Sequence, residues 1–462
     1  MDEITDVVPT SEEIPYSKVN VMSWTMYDIA NTVFSMGIVS LTFIHYGLIL
    51  GLKSGFTYGQ SHLLASLSVS LSTLVVALFM PMWGAYADAS GKRKPFVVTM
   101  GALCILLTGM IFLFEDLLIA LSLFIIANIT YQWGNLFYDA MIPNIAPPHM
   151  TGRVSSFGVA LGYGGSIVAI VLNLGAEQVF GSPSDIGLLE SLDPGSPLLE
   201  LGHLRYMFAL GALAFLILAL PFLLVRERTT PNTKSFKEVS GEAVRELKQT
   251  LRNVLGYRDM LLFVIGWFII SDAVNSVITY MKDISVNGLR FSEGEATILL
   301  GIGVIGAVVL TYPLGPLADR KGPKFTFYIV GSLWIVATGM FIISDILIPK
   351  ESLFLAAVLI GPAMGGTWVV QRQMVIELAP PGEVGQYFAF SKFAGKVSAS
   401  IGPIIFSGVL NLGLEILGLS TTESYRLSVF SLLLFFLAGF LVFSRIQDYH
   451  ERYARGERAP YN

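Results

Sequence analysis

The stretch GAYADASGKRKP, residues 84–95, places one acid and three bases between two long apolar runs. A second stretch of the same kind, GPLADRKGPK at residues 315–324, follows half the chain length later. The corresponding positions are Gly84 and Gly315, Asp88 and Asp319, Gly91 and Gly322, and Arg93 and Lys324. We therefore expect the fold to contain the same charged turn twice.

The glycine that opens this motif has a physical role. Gly84 lies one helical turn before Asp88 and leaves a flat patch on which another helix can approach closely. An aspartate at such a turn can accept backbone N–H groups from the first turn of a neighbouring helix, whose positive dipole end attracts it. Anchoring at lipid headgroups is the alternative, and it stays open for Lys92 and Lys94.

Long apolar runs fill nearly all of the remaining chain. Of the 462 residues, 53% are apolar and only 14% are charged, and the mean hydropathy is +0.66. A helix of about 20 apolar residues crosses a hydrocarbon core of about 30 Å. The sequence therefore predicts an all-α membrane protein with twelve spans. They lie at about residues 16–46, 60–86, 95–114, 117–142, 154–174, 205–225, 259–281, 295–317, 324–344, 351–377, 388–412 and 426–445.

The distribution of basic residues predicts the orientation. If the chain starts inside, most of its 29 Lys and Arg fall in cytoplasmic segments, where such residues collect. The first apolar run is too long for a cleaved signal peptide, so we expect it to be retained. We expect an integral, multi-pass protein with both termini cytoplasmic, in the plasma membrane if the organism is prokaryotic. The net charge of −5 gives no sign of a nucleic-acid partner, and Cys104, the single cysteine, cannot form an intramolecular disulfide.

Two further sequence echoes support a duplication. APPHMTGRVSSFGVALG from Ala146 resembles APPGEVGQYFAFSKFAG from Ala379, and YDIANTV around Asp28 resembles SDAVNSV around Asp272. The echoes keep their order in both halves, which indicates two parallel six-helix units. The predicted domains are a cytoplasmic tail (1–15), a first bundle (16–225), a cytoplasmic linker (226–257), a second bundle (258–446) and a cytoplasmic tail (447–462).

The linker carries apolar residues at helical spacing among charged ones. This pattern predicts an amphipathic helix on the cytoplasmic face, with a solvated linker as the alternative. The residues concerned are Val244, Leu247, Leu251 and Val254.

The sequence predicts twelve spans in two parallel halves, with the motif G-x-x-x-D-x-x-G-(K/R)-(K/R) after the second span and a weaker copy after the eighth. This arrangement resembles the major facilitator superfamily. The resemblance covers about residues 16–446. Three segments resemble one branch of this superfamily, the autophagy-related vacuolar amino-acid effluxers and uncharacterised prokaryotic permeases. They are WTMYDIANTVFS from Trp24, YDAMIPNIAPP from Tyr138 and FAGKVSASIGP from Phe393.

The resemblance implies a secondary transporter that moves a small polar solute by alternating access, with amino acids as the candidate class and coupling to protons or another ion as an option. It also implies a monomer that contacts membrane lipid and uses no cofactor. A polyspecific drug-type exporter is the alternative within transport, and a non-transporting receptor or scaffold is the alternative outside it. The sequence contains no Walker motif or catalytic triad, so we do not expect an enzyme. Its five His are scattered and indicate no metal site.

The resemblance also implies a gate. In this superfamily the charged turn closes the cytoplasmic gap between the halves, which places Asp88 near the start of the eleventh span. Arg93 would then pair with Asp139, the only carboxylate in the fourth span. In the second turn Lys324 replaces the arginine, and Glu377 is its expected partner. The predicted gating residues are Gly84, Asp88, Gly91, Arg93, Asp139, Gly315, Asp319, Arg320, Gly322, Lys324 and Glu377.

Ionisable residues within the spans are candidates for substrate or proton binding, because each costs about 3 kcal/mol on insertion scales. Asp28 and Asp272 lie near mid-depth, and Asn31 and Asn275 follow them on the same helical faces. Each carboxylate could bind substrate, carry a proton or hold helices together by hydrogen bonds.

Three bases within the spans complete the candidates. Arg372 occupies the position in the tenth span that Asp139 occupies in the fourth, so the two could pair across the halves on the cytoplasmic side. Arg372 could instead hold a carboxylate or phosphate of the substrate, or snorkel to the membrane interface. Lys392 is expected to reach the cytoplasmic interface and Lys396 to face the cavity. The predicted substrate or proton residues are Asp28, Asn31, Asp272, Asn275, Arg372 and Lys396.

Overall fold

A computed structural model describes residues 17–183, 196, 199–228, 252, 254, 256–291, 293–380, 383–399 and 401–454. Within these residues the regular elements are helices, and no β-strand is formed. Nine helical stretches are long and apolar enough to cross a membrane, or ten if the bent pair Leu64–Met80 and Met82–Asp88 forms one span. The all-α membrane fold predicted from composition is thus confirmed.

The first half denotes residues 16–225 and the second half residues 258–446. In the first half, α1 (Lys18–Thr32) continues through the π-helical Val33–Phe43 into Ile44–Lys53. The following helices are α2 (Tyr58–Ser90), α3 (Lys94–Ile111), α4 (Leu117–Ala140), α5 (Thr151–Phe180) and α6 (Leu204–Ala219). Two short elements, Ile142–Ile145 and Pro148–Met150, join α4 to α5.

The second half repeats this order and ends in one short additional helix. Its elements are α7 (Arg258–Asp283), α8 (Glu293–Leu310), α9 (Leu314–Ile343), α10 (Leu353–Leu378), α11 (Val384–Ser398, followed by Gly402–Asn411), α12 (Thr421–Ser444) and α13 (His450–Ala454).

Local sequence explains several helix ends. Thr57 caps α2 and Ser420 caps α12, each in a capping box with a residue three positions later. Gly91 ends α2 in the left-handed region at φ 66°, and Gly322 breaks α9 at φ 85°. Residues other than glycine rarely adopt such φ values, so the two turn glycines are required by the backbone.

Two of the twelve predicted spans are interrupted. α8 ends at Leu310, shortly before Pro313, and a bend separates it from α9. α11 ends at Ser398 and resumes at Gly402, where a proline follows in the first helical turn. Proline in a helix interior removes a backbone hydrogen bond, which accounts for the interruptions.

Equivalent helices pack in both halves, α1 on α5 and α7 on α11. Between the halves, α5 packs on α8, α9 and α10, and α11 packs on α2 and α4. The amphipathic helix predicted around Val244, Leu247 and Leu251 lies outside the described residues, as do the N-terminal tail 1–15 and residues 455–462.

Candidate functional site: two charged turns and a buried charge cluster

The first charged turn binds the start of a helix in the opposite half. Asp88 accepts hydrogen bonds from the backbone N–H groups of Gly385 (3.0 Å) and Gln386 (2.9 Å), in the first turn of α11. One helical turn earlier, a methyl group added at Gly84 would lie 2.6 Å from the Gly385 carbonyl oxygen. The contact predicted between Asp88 and the start of the eleventh span is therefore present, and only glycine allows the approach.

The second charged turn makes the equivalent contact with α5. Asp319 accepts hydrogen bonds from the N–H groups of Gly152 (2.7 Å) and Arg153 (2.8 Å), at the start of that helix. A methyl group added at Gly315 would overlap Ser156 and the Gly152 carbonyl group. Both aspartates thus cap a helix that belongs to the other half. We name these two contacts the latches, and the side of the protein that holds them the charged-turn face.

Each latch combines hydrogen bonds to a charged group with a close glycine contact. Hydrogen bonds to a charged group contribute about 1.5–3 kcal/mol, and the positive end of a helix dipole adds to the attraction for a carboxylate. Close glycine contacts supply shape without interlocking side chains. The arrangement can therefore form and separate reversibly.

The predicted pairing of Arg93 with Asp139 is wrong. The Arg93 guanidinium folds back onto Asp88, and its backbone N–H donates to the Glu227 carboxylate (3.0 Å). Asp139 instead binds two bases of the second half. Glu227 lies just after the last helix of the first half, so no pattern within a span indicated its role.

The predicted pairing of Lys324 with Glu377 is also wrong. The Lys324 ammonium donates to the Ile446 carbonyl (2.5 Å), and Glu377 Oε1 lies 3.0 Å from His450 Nδ1. Both new partners follow α12, outside the repeated motif. Arg320, the remaining gating candidate of this turn, is exposed.

A buried charge cluster joins the halves deeper in the protein. Asp139 Oδ1 lies 2.8 Å from Arg372 Nη2, and Asp139 Oδ2 lies 2.5 Å from Lys392 Nζ. Asp28 Oδ2 lies 3.7 Å from Arg372 Nη1. The first half supplies both acids and the second half both bases, so the cluster is electrically balanced. The pairing of Asp139 with Arg372 was one of three alternatives from the sequence. Lys392, which was expected to reach the cytoplasmic interface, pairs with Asp139 while its side chain stays 21% exposed.

The cluster has hydrogen-bonding capacity to spare. Asp28 Oδ2 and Arg372 Nη1 are buried atoms that lack a hydrogen-bond partner in the described part of the chain. The Tyr138 ring lies 6.0 Å from the Arg372 guanidinium and stacks on Trp24 with ring centroids 4.3 Å apart. An acceptor, a donor and an aromatic wall thus meet at one place, which is the composition of a polar ligand site.

The polar residues of α1 and α7 do not act as a symmetrical pair. Asn31 donates to Asn135 Oδ1 (2.6 Å), a partner that the sequence did not indicate. Asn275 instead donates within α7, to the Ser271 carbonyl (2.6 Å). Lys396 is half-buried, one turn beyond Lys392.

Asp272 does not join the charge cluster. It faces α11 of its own half, where a methyl group added at Gly402 would lie 2.8 Å from its Oδ1 atom. Its side chain is buried, and neither oxygen has a hydrogen-bond partner among the described residues. Asp272 lacks a neighbouring base because the two halves differ at one pair of equivalent positions. Arg372 of the second half lies beside Asp28, whereas the equivalent position in the first half holds an acid, Asp139.

Comparisons with known proteins agree with this architecture. The family model described as "Vacuole effluxer Atg22 like" matches residues 57–454. An uncharacterized MFS-type transporter of Bacillus subtilis, YxiO, is 23% identical over 441 residues, which cover 92% of this chain and 94% of that protein. Autophagy-related protein 22 of Vanderwaltozyma polyspora is 21% identical over 478 residues, covering 87% and 88%.

Solved structures show the same fold. The E. coli fucose:proton symporter FucP superposes with a TM-score of 0.68 at 13% identity, covering 93% of this chain and 98% of that one. The resemblance found in the sequence is thereby confirmed, and the protein is a secondary transporter rather than an enzyme. The chain belongs to the Atg22-like vacuole effluxer family, within the major facilitator superfamily.

Proposed function

We propose that this protein carries a small zwitterionic solute, with amino acids as the leading class, by alternating access between its two halves. The observation that carries the proposal is the balanced charge cluster, with Asp28 and Asp139 on one side and Arg372 and Lys392 on the other. The cluster lies where the halves meet, so a solute bound there contacts both.

A zwitterion suits this site because it brings one charge of each sign. Its carboxylate can pair with Arg372 Nη1 and its amine with Asp28 Oδ2, in place of the 3.7 Å ion pair between these two atoms. The net charge of the cluster and its bound solute then stays at zero. A singly charged solute would leave one protein charge unpaired, which costs about 2–5 kcal/mol of binding free energy. The Tyr138 ring offers a surface for the remainder of the solute.

We further propose that the charged-turn face is cytoplasmic and that the latches close it while the solute site opens outward. The excess of Lys and Arg in the segments predicted to be cytoplasmic supports this orientation. Release of solute to the cytoplasmic side then requires both latches to break. Asp88 and Asp319 each cap a helix of the opposite half, so each latch exists only while the halves touch. This supports a role of the latches in closing the face.

Transport coupled to protons is part of the proposal. Asp28 Oδ2 lies 3.7 Å from the guanidinium of Arg372, whereas Asp272 forms no ion pair among the described residues. A buried carboxylate without a counter-charge is costly, so Asp272 is the better acceptor for a transported proton. Hydrogen bonding within the bundle is the alternative role for Asp272.

Thermal-shift and binding assays on the purified protein test the substrate class. The standard amino acids, sugars, nucleosides and cationic drugs are the probes. We expect an amino acid to stabilise the protein, and its methyl ester or N-acetyl derivative to bind at least about tenfold more weakly. Arg372→Gln should remove the discrimination against the ester. A sugar or apolar cation that binds more tightly than every amino acid, with binding intact in Arg372→Gln, would show that the zwitterion assignment is wrong.

A further inference from the structure

A short segment after α12 lies across the charged-turn face. This segment, residues 445–454, is named the strap. Its Ile446 carbonyl accepts the Lys324 ammonium, and its Tyr449 hydroxyl donates to Asp259 Oδ2 (2.7 Å) at the start of α7. Its helix α13 packs on α9 in the second half and on Pro148–Met150 in the first half. The strap therefore touches both halves.

His450 is the centre of the strap. Its Nδ1 lies 3.0 Å from Glu377 Oε1, and its Nε2 lies 3.1 Å from the Asp319 carbonyl oxygen. A carboxylate and a carbonyl group can only accept hydrogen bonds, and a neutral imidazole has a single N–H to donate. Only the imidazolium form satisfies both contacts at once when Glu377 is ionised.

The surroundings of His450 favour that form. The hydrogen bond to Glu377 raises the pKa of His450 above its usual value of 6.5, against the opposing effect of partial burial. The Asp448 carboxylate acts in the same direction. The other titratable or charged side chains on the strap and on the elements it contacts are His149, Asp259, Asp319, Arg320, Lys321, Lys324, Tyr328, Arg445, Tyr449, Glu451 and Arg452. Burial raises the pKa of Asp319 to about 6, so its titration falls in the same pH range as that of His450.

We propose that His450 is a regulatory proton site, separate from the solute site, whose protonated form locks the charged-turn face closed. The imidazolium fixes the peptide group of Asp319, the residue whose carboxylate forms the second latch. It also holds α13 against Pro148–Met150, a contact that exists only while the halves are together. Because the contacts differ between the closed and open states, a proton bound at His450 shifts the equilibrium toward the closed state.

The direction of the pH effect follows from the raised pKa. A group whose pKa is raised in one state stabilises that state at pH values below its ordinary pKa, and the effect is lost as the pH rises through the raised value. Acidification of the charged-turn side should therefore favour closure. The inference rests on the proposed alternation of the halves, but it requires no solute.

Distances between spin labels in the full chain test the proposal. Exposed positions Lys92 and Arg258 are replaced by cysteine in a Cys104→Ala background, and the protein is placed in lipid nanodiscs. Raising the pH from about 5.5 to about 8.5 spans the titration of a histidine. The ratio of molecules with a short label distance to molecules with a long one should fall about fivefold or more, which is the usual range for coupled sites.

Variants separate this site from other titrating groups. His450→Gln should abolish the pH-dependent change, and Glu377→Gln should move its midpoint to lower pH. His203→Gln is the control, since His203 also contacts a carbonyl group (Gly181, 3.3 Å) but lies at the start of α6, on the opposite face. It should leave the titration unchanged.

Three results would overturn the inference: no pH dependence in the parent protein, closure at high pH, or an unchanged titration in His450→Gln. Glu377→Gln provides the decisive variant if His450→Gln does not fold. A normal titration in a protein that transports no solute would refute the proposed function and leave the proton site standing. Transport with no effect of His450→Gln would do the reverse.

Discussion

Replacing Arg372 by Gln should strongly destabilise the protein, because it leaves two buried acids opposite a single base. Arg372 is 8% exposed and Asp139 is 4% exposed, with their charged atoms 2.8 Å apart. At an effective dielectric constant of about 20, two unit charges at this distance attract by about 6 kcal/mol, most of which offsets their desolvation. Removing one partner of such a pair costs about 3–5 kcal/mol.

Thermal unfolding in detergent, followed by tryptophan fluorescence, measures this effect. Arg372→Gln should lower Tm by at least about 5 °C. The double variant Arg372→Gln/Asp139→Asn removes one charge of each sign, so it should recover at least half of the loss. Arg205→Gln is a matched control, because the Arg205 side chain is 31% exposed in its pair with Glu115, where such pairs contribute about 1 kcal/mol or less.

This prediction is wrong if Arg372→Gln unfolds at the same temperature as the parent protein. It would also fail if the double variant were as unstable as the sum of its single variants. Either result would show that the cluster is not a tightly coupled, desolvated group of charges.

Two further predictions concern the glycine of the first latch and the carboxylates proposed to bind a proton or the solute. Gly84→Ala should weaken closure, since the added methyl group would lie 2.6 Å from a backbone oxygen of α11; Gly164→Ala, which adds a methyl group in open space, should behave as the parent in the same distance measurement. In proteoliposomes with a pH gradient, Asp272→Asn should still exchange substrate but fail to concentrate it, whereas Asp28→Asn should weaken binding itself. Undiminished accumulation by Asp272→Asn would exclude that residue as the proton carrier.

The sequence predicted the parts of the protein that depend on local pattern. Apolar runs of membrane length indicated the helices, and the spacing of Gly84 and Asp88 indicated a close helix contact. The first signal works because about 20 apolar residues in a helix span the hydrocarbon core, and the second because a helix places residues four apart on one face. The repeat of the same spacing at Gly315 and Asp319 then located the second latch.

The errors concern partners that depend on the tertiary fold. Arg93 and Lys324 were assigned acids within the spans, but the Arg93 side chain pairs with Asp88 of its own turn, and Lys324 donates to Ile446 after α12. The ion pair of Lys392 with Asp139 was not predicted either, because a long side chain can turn either way from the same helix face. His450 had no sequence signal, because a lone histidine beyond the last span is common on protein surfaces.

Distances across both faces, measured when the latches are removed, test the alternation of the halves most directly. Cysteine pairs at Lys92 and Arg258 report on the charged-turn face, and pairs at Ser54 and Glu351 on the opposite face; all four positions are exposed. The comparison is between the parent protein and Asp88→Asn/Asp319→Asn, which retains the side-chain shapes but loses both charges.

The two faces should change in opposite directions. In the double variant the charged-turn distances should lengthen in most molecules, and the distances on the opposite face should shorten. Loss of about 1.5–3 kcal/mol per latch is enough to reverse a closed state favoured by a similar amount. Unchanged distances at both faces, or lengthening at both, would contradict the claim that these charged turns hold one side of an alternating transporter closed.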